Sequence, residues 1–146
     1  MKKILFVFAA FILLGITAAS AENDKVISKD ELPAQAQHFI NEYFPDINLV
    51  YAKLEREFIE HSYEVVLTDG TKLEFSDKGT WTEVDCKYSE VPSGVIPVPI
   101  RDYVEKNYPR ECVLKIERDH GDYKLKLSNR LELTFNKKFK IIDIDD

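Results

Sequence analysis

Cysteine is scarce in this chain, which has only Cys86 and Cys112 in 146 residues. Two thiols are too few for a disulfide scaffold or a thiolate metal centre; they stand either as one bridge or as two buried free thiols. Histidine is nearly as sparse: no two of His38, His61 and His120 have the i, i+2 or i, i+4 spacing that brings imidazoles onto one metal. The glycines are dispersed singly, so no glycine-rich loop exists to cradle a phosphate, and no GxSxG motif presents a nucleophile. Basic charge is in deficit, with 20 Lys and Arg against 26 Asp and Glu, which argues against nucleic acid as a partner. After residue 16 no apolar run is long enough to span a bilayer.

What is present begins with a charged Met1-Lys2-Lys3 cluster, an apolar run from Ile4 to Ile16, and small residues at Ala19, Ser20 and Ala21. That is the layout of a secretory signal peptide over residues 1–21, with cleavage expected after Ala21 and no membrane insertion afterwards. Removing it takes two lysines and no acid, so the formal charge goes from -6 to -8. Residues 22–30 are polar and expected to be a flexible tail.

The remainder spells one phrase twice. ELPAQAQHFINEYFP at 31–45 returns as VIPVPIRDYVEKNYP at 95–109, an offset of 64. Apolar residues 36, 39, 40 and 43 follow a 3.6 period, Ser28 or Asp30 is placed to cap, and Pro45 stops the run, which predicts an amphipathic helix. After each helix the period becomes two. Val50, Ala52 and Leu54, then Tyr63, Val65 and Leu67, then Leu73 and Phe75, then Val84 and Cys86 predict four strands, joined by turns such as Thr68-Asp69-Gly70-Thr71. In the second copy Cys112, Leu114 and Ile116 open the first strand, Tyr123, Leu125, Leu127, Leu133 and Phe135 continue at an offset of 60, and Phe139, Ile142 and Ile144 complete the last strand. The four-residue change of offset falls in one turn, EFIEHS against DHG, with His61 and His120 both in it.

These patterns predict an α+β fold: two tandem helix plus four-strand antiparallel repeats, at 31–88 and 95–146 with a linker at 89–94, forming one continuous sheet of about eight strands with both helices on one face. The opposite face would carry Tyr51, Lys53, Glu64, Val66, Lys72 and Glu74 from the first copy, and Lys115, Glu117, Lys124, Lys126, Glu132 and Thr134 from the second. If residues 80 to 86 run as a regular strand, Trp81 joins that face as an aromatic anchor; if a bulge intervenes, it turns inward. A partner-binding face of Tyr51, Lys53, Val66, Trp81, Lys115, Lys124 and Lys126 is therefore the candidate site. No residue is singled out for catalysis, metal or cofactor. Asp143, Asp145 and Asp146 lack the spacing of a calcium loop and read as a solvated acidic end.

LPAQAQHFINEYFPD followed by YEVVLTDGTKLEFSDKGTWTEVD resembles the PepSY-like periplasmic proteins of Bacteroides-type bacteria, whose fold is similar to that of the beta-lactamase inhibitory protein. The second appearance, ending YKLKLSNRLELTFNKKFKIIDID, departs by putting Asn129-Arg130 for Asp69-Gly70 and Phe139 for Gly79. The resemblance implies a periplasmic location, no catalytic residue, and binding or inhibition of a secreted or envelope protein, a protease or other enzyme, through the open sheet. Binding of a peptide or small molecule is the competing class, and a hydrolase a remote third.

Overall fold

The computed structural model describes residues 24–146, and the expected signal peptide with its cleavage point lies outside them. Proline delimits both helices. Helix α1 spans Ala34–Tyr43 and α2 spans Val98–Asn107, with Pro33 and Pro97 as their N-caps. A fixed φ near the helical value suits proline to this boundary, where a missing N–H costs no intrahelical bond. Each helix closes alike: the Phe44 N–H donates to the Ile40 carbonyl and the Tyr108 N–H to that of Val104, both at 2.8 Å. Pro45 and Pro109 then forbid continuation. The expected cap by Ser28 serves a different element. Ser28 is the N-cap of the 3-10 turn Lys29–Glu31, and its N–H donates to Glu31 Oε2 at 2.7 Å.

Nine strands form one antiparallel sheet in chain order: β1 Lys25–Ile27, β2 Leu49–Glu57, β3 Glu60–Leu67, β4 Lys72–Ser76, β5 Trp81–Asp85, β6 Val113–Asp119, β7 Asp122–Leu127, β8 Glu132–Phe135 and β9 Ile141–Asp145. The expected α+β fold with both helices on one face of a continuous sheet stands, with one strand more. Part of the supposed flexible tail is that strand, because Lys25, Val26 and Ile27 pair with Leu54, Lys53 and Ala52 and so cover part of the β2 edge. The two halves meet where β5 pairs with β6 through Glu83↔Glu117, Val84↔Ile116 and Asp85↔Lys115.

Alternation puts one apolar row straight across this seam. Ala52, Val65, Leu73, Val84, Ile116, Leu125 and Leu133 stand opposite one another on successive strands, and all are fully buried. Burial of each larger member contributes about 1.5–3 kcal/mol. The helices close over this face: the Phe39 ring meets Phe75 edge-on at 5.6 Å, and Tyr103 meets Phe135 likewise at 5.3 Å.

Four bulges, two per copy, displace side chains from the phase that simple alternation predicts. In β2 the register shifts between Leu49 and Tyr51, and in β6 between Val113 and Lys115. Leu49 and Val113 thereby pair with the core residues Leu67 and Leu127, while Val50 and Cys112, expected inward, are exposed. This corrects the cysteine expectation too. Cys86 is buried and Cys112 is exposed, and the two are free thiols rather than a bridge. Burial pushes the Cys86 thiol up to about 11, so it stays protonated and inert at neutral pH. The remaining bulges fall at Glu74/Phe75 and Thr134/Phe135, opposite Trp81 and Ile141. Phe139, expected in the last strand, lies in the turn before it at φ 61, and Ile141 begins the strand instead. His61 is likewise in β3 rather than in a turn.

Candidate functional site

The helices leave the other face of the sheet uncovered. Two rows of side chains cross it in register. One reads Lys53, Glu64, Glu74, Glu83, Glu117, Lys124, Thr134 and Asp143 across successive strands; the next reads Tyr51, Val66, Lys72, Asp85, Lys115, Lys126, Glu132 and Asp145, both set by alternation from the apolar row. Four glutamates side by side on neighbouring strands repel one another, and the lysines of the adjacent row lie between them.

Glu83 sits at the centre, on the seam, and is only 7 % exposed. Lys115 Nζ is 2.8 Å from its Oε1 and Lys72 Nζ is 3.4 Å from its Oε2. Burial works against its charge, but the bond and charge of Lys115, then the charge of Lys72, hold its carboxyl below the usual carboxylate range. The flanking acids go the other way. Burial first, then the Glu83 charge, raises Glu74; burial, then contact with Glu83, raises Glu117, although Lys72 lies 3.0 Å from the former and Lys115 2.7 Å from the latter. Both lysines lose solvation, yet the surrounding carboxylates outweigh that loss and raise them, so they remain charged. The network extends to Lys53, 3.1 Å from Glu55 and 3.5 Å from Asp24, and to Lys124, 3.0 Å from Glu132. Tyr51 donates to Glu64 at 2.6 Å, and that bond raises the phenol.

The structure thus brings Tyr51, Lys53, Val66, Lys115, Lys124 and Lys126 onto one face, with Lys126 exposed. It removes Trp81. Because Glu74 pairs with Glu83 while Phe75 pairs with Trp81, Thr82 is the extra residue and Trp81 joins the helix-covered side. Its ring lies 6.4 Å from that of Phe39, and the Arg118 guanidinium covers it at 4.1 Å. Arg118 Nε also donates to the Trp81 carbonyl at 2.6 Å, which ties the second copy to the first. Of the two orientations expected for Trp81, the structure shows the bulged, inward one, with the ring half-buried against the core. Glu83, which periodicity alone did not separate from its acidic neighbours, is the buried centre of the face; a glutamate at a position where four strands carry acids in register was the available signal.

The chemistry this arrangement supports is complementary charge, not bond making. Among the described residues no group of three or more His, Cys, Asp or Glu side chains is arranged to hold a metal ion. His38 is paired with Glu42 at 3.5 Å and His120 with Asp119 at 2.6 Å, both in exposed positions. A cleft of about 390 Å³ lies beside the β2–β3 turn and is lined by Glu57, Glu60, His61, Ser62 and Asp77 together with Ile59 and Phe75.

Residues 61–143 match the family described as "Putative beta-lactamase-inhibitor-like, PepSY-like". The chain belongs to the PepSY-like family. Among solved structures, a "putative calcium-regulated periplasmic protein" of Bacteroides thetaiotaomicron is 52 % identical, with a TM-score of 0.84 over 86 % of this chain and 99 % of that one. A "putative periplasmic protein from DUF2874 family" of Bacteroides vulgatus is 51 % identical, again with a TM-score of 0.84 over 86 % of this chain and 99 % of that one. A second protein of Bacteroides vulgatus, described as a "putative periplasmic protein of unknown function", is 38 % identical, with a TM-score of 0.80 over 84 % and 99 %. No curated protein matches. This PepSY-like chain is a periplasmic protein, and among its described residues no helix is long and apolar enough to cross a membrane. Its family is described as inhibitor-like, and the sheet face opposite the helices is bare.

Proposed function

We propose that this protein is a periplasmic binding module whose uncovered sheet face engages a secreted or envelope protein, restraining or regulating a protease or other enzyme. The observation that carries the reading is the asymmetry of the sheet: one face is sealed by two helices, while the other spans nine strands with ordered rows of paired lysines and glutamates. A face whose charges are already held in place by their neighbours loses little freedom on meeting a complementary surface. Tyr51, Val66 and Lys126 supply the contact area and charge; Lys53, Lys115 and Lys124 set the pattern around them.

Binding of a small molecule is less well supported, since the cleft beside the β2–β3 turn is open and mixes acids and hydroxyls with Ile59 and Phe75 rather than being a deep apolar pocket. A relative bears the description calcium-regulated. In this chain Glu55, Glu74, Glu83 and Glu117 each lie within 3.4 Å of Lys53, Lys72 or Lys115, so a calcium ion would have to compete with ammonium groups to bind them.

Affinity capture from native periplasm, with and without calcium, tests the reading when the bait is compared with Tyr51→Ala, Lys126→Glu. The expected result is one reproducible partner whose recovery falls at least tenfold with the double variant. Recovery unaffected by that change would remove the face from the binding site.

A further inference from the structure

The residues by which the two copies differ in length all fall in one hairpin. Glu55↔Ser62 in the first copy corresponds to Asp119↔Asp122 in the second, where the hairpin ends. Beyond that rung β2 and β3 add Arg56↔His61 and Glu57↔Glu60 before turning. At about 3.4 Å per residue, two further rungs carry the turn roughly 7 Å outward. The residues at the tip are Phe58 and Ile59, which are 106 % and 95 % exposed.

Phe58 does not suit the turn, and Ile59 beside it is left in water. A two-residue hairpin favours Asn, Asp and Gly, which tolerate positive φ, and the second copy comes close with His120 at φ 48 and Gly121 at φ 88. The first copy holds a phenylalanine at φ 48, a region that costs a bulky side chain about 1–3 kcal/mol. An aromatic and a branched aliphatic side chain side by side in water also forgo the burial that would favour them. The isolated fold gains from neither choice. Both costs are offset when the tip is buried against another molecule, where an aromatic at the centre of a contact carries much of the affinity.

Charge indicates what kind of molecule. Glu57 and Glu60 flank the tip directly, and Asp77 lines the cleft beside it. These acids oppose approach to anionic lipid headgroups, and they complement a protein surface whose pocket is apolar within and basic at the rim. We propose that the β2–β3 hairpin is a docking prong whose Phe58–Ile59 tip inserts into an apolar, Lys- or Arg-rimmed pocket on a periplasmic or secreted protein. The prong lies beyond the rungs that form the open face, so it is a separate contact and does not depend on the face being used.

In-cell photo-crosslinking from benzoylphenylalanine placed at position 58, with the same probe at position 120 as control, tests the proposal on the full-length protein. The expected result is an adduct from 58, absent from 120, whose linked peptide maps to an apolar pocket bordered by Lys or Arg on a different protein. With that protein purified, Phe58→Gly, Ile59→Ser should weaken binding about 30-fold or more, the scale of a hot-spot contact, while the melting temperature holds or rises because glycine relieves the positive φ at the first turn position. Adducts only to lipid or to a second copy of this chain would overturn the proposal. So would no adduct, the same adduct from both positions, sedimentation of the protein with phosphatidylglycerol vesicles through the tip, or a change in affinity under threefold.

Discussion

The first and second copies reach the same topology with different side chains at the same places, and the differences show which positions the fold itself requires. In the first copy Phe39 gathers Phe75, Trp81 and Tyr43 around it, with ring centroids 4.9–6.4 Å away. In the second, Tyr103 meets Phe135, and Ile141 stands where Trp81 does. Gly79, at φ 86, lies against the start of α1; the corresponding Phe139 accepts φ 61 and stacks on Tyr123 at 5.8 Å. Asp69 and Asn129 do the same work, each accepting a hydrogen bond from the N–H two residues on, at 2.9 and 3.1 Å. Helix boundaries and bulges recur, so they belong to the fold. The longer hairpin and the aromatic cluster occur once.

The largest test of this comparison is truncation of the paired ring positions. Phe75→Ala and Phe135→Ala should each cost about 3–5 kcal/mol, the former more because it also loosens Phe39 and, beyond it, Trp81. Urea unfolding followed by Trp81 fluorescence measures both, and equal losses would deny the first copy its extra cluster.

Next is Gly79→Ala. Its Cβ would stand 2.8 Å from Pro33 Cβ and 3.0 Å from the Ala36 nitrogen, and the backbone is in the left-handed region. Strain and clash together predict a loss of about 2–3 kcal/mol, readable as a lowered urea midpoint. A neutral outcome would mean that α1 does not need this close approach.

Arg130→Gly should act in the opposite direction. Arg130 occupies φ 73 where the first copy has Gly70 at φ 89. Relief of that conformation predicts a gain of about 0.5–1 kcal/mol in thermal unfolding, reduced by the freedom glycine adds to the unfolded chain.

The smallest effect lies on the seam and depends on pH. Glu74 and Glu117 are raised in the fold, chiefly by burial, so their protonated forms favour the folded state; Glu83 is lowered, so its charged form does. As pH falls from 7 toward the ordinary glutamate value of 4.5, the first pair contributes a rise in stability. At lower pH, protonation of Glu83 removes stability. Glu117→Gln should therefore stabilise at pH 7 by only a few tenths of a kcal/mol, discounted for solvent screening, with the advantage gone in acid. A gain independent of pH would contradict this assignment.

Much of the fold was legible because its signals are redundant. Prolines at 33, 45, 97 and 109 bracket the helices, and alternation in Val65, Leu67, Leu73 and Phe75 recurs in Leu125, Leu127, Leu133 and Phe135. What alternation cannot register is a bulge, since one inserted residue reverses every side chain beyond it. Val50 and Cys112 were misplaced for that reason, and the orientation of Trp81 was left open between the two faces by it. β1 escaped notice because three residues, Lys25–Ile27, are too few to display a period. The open face was readable as a list of lysines and glutamates. Its central fact, Glu83 held between Lys72 and Lys115 across the seam, required the register of β5 on β6.

The central claim is that the bare face, not the helix-covered one, meets the partner. In-cell crosslinking from a photoreactive residue at Lys126, compared with one at His38 on the exposed side of α1, tests it most directly. The account predicts a discrete protein adduct from position 126 and none from position 38. Adducts from 38 alone, or the same adducts from both, would contradict it.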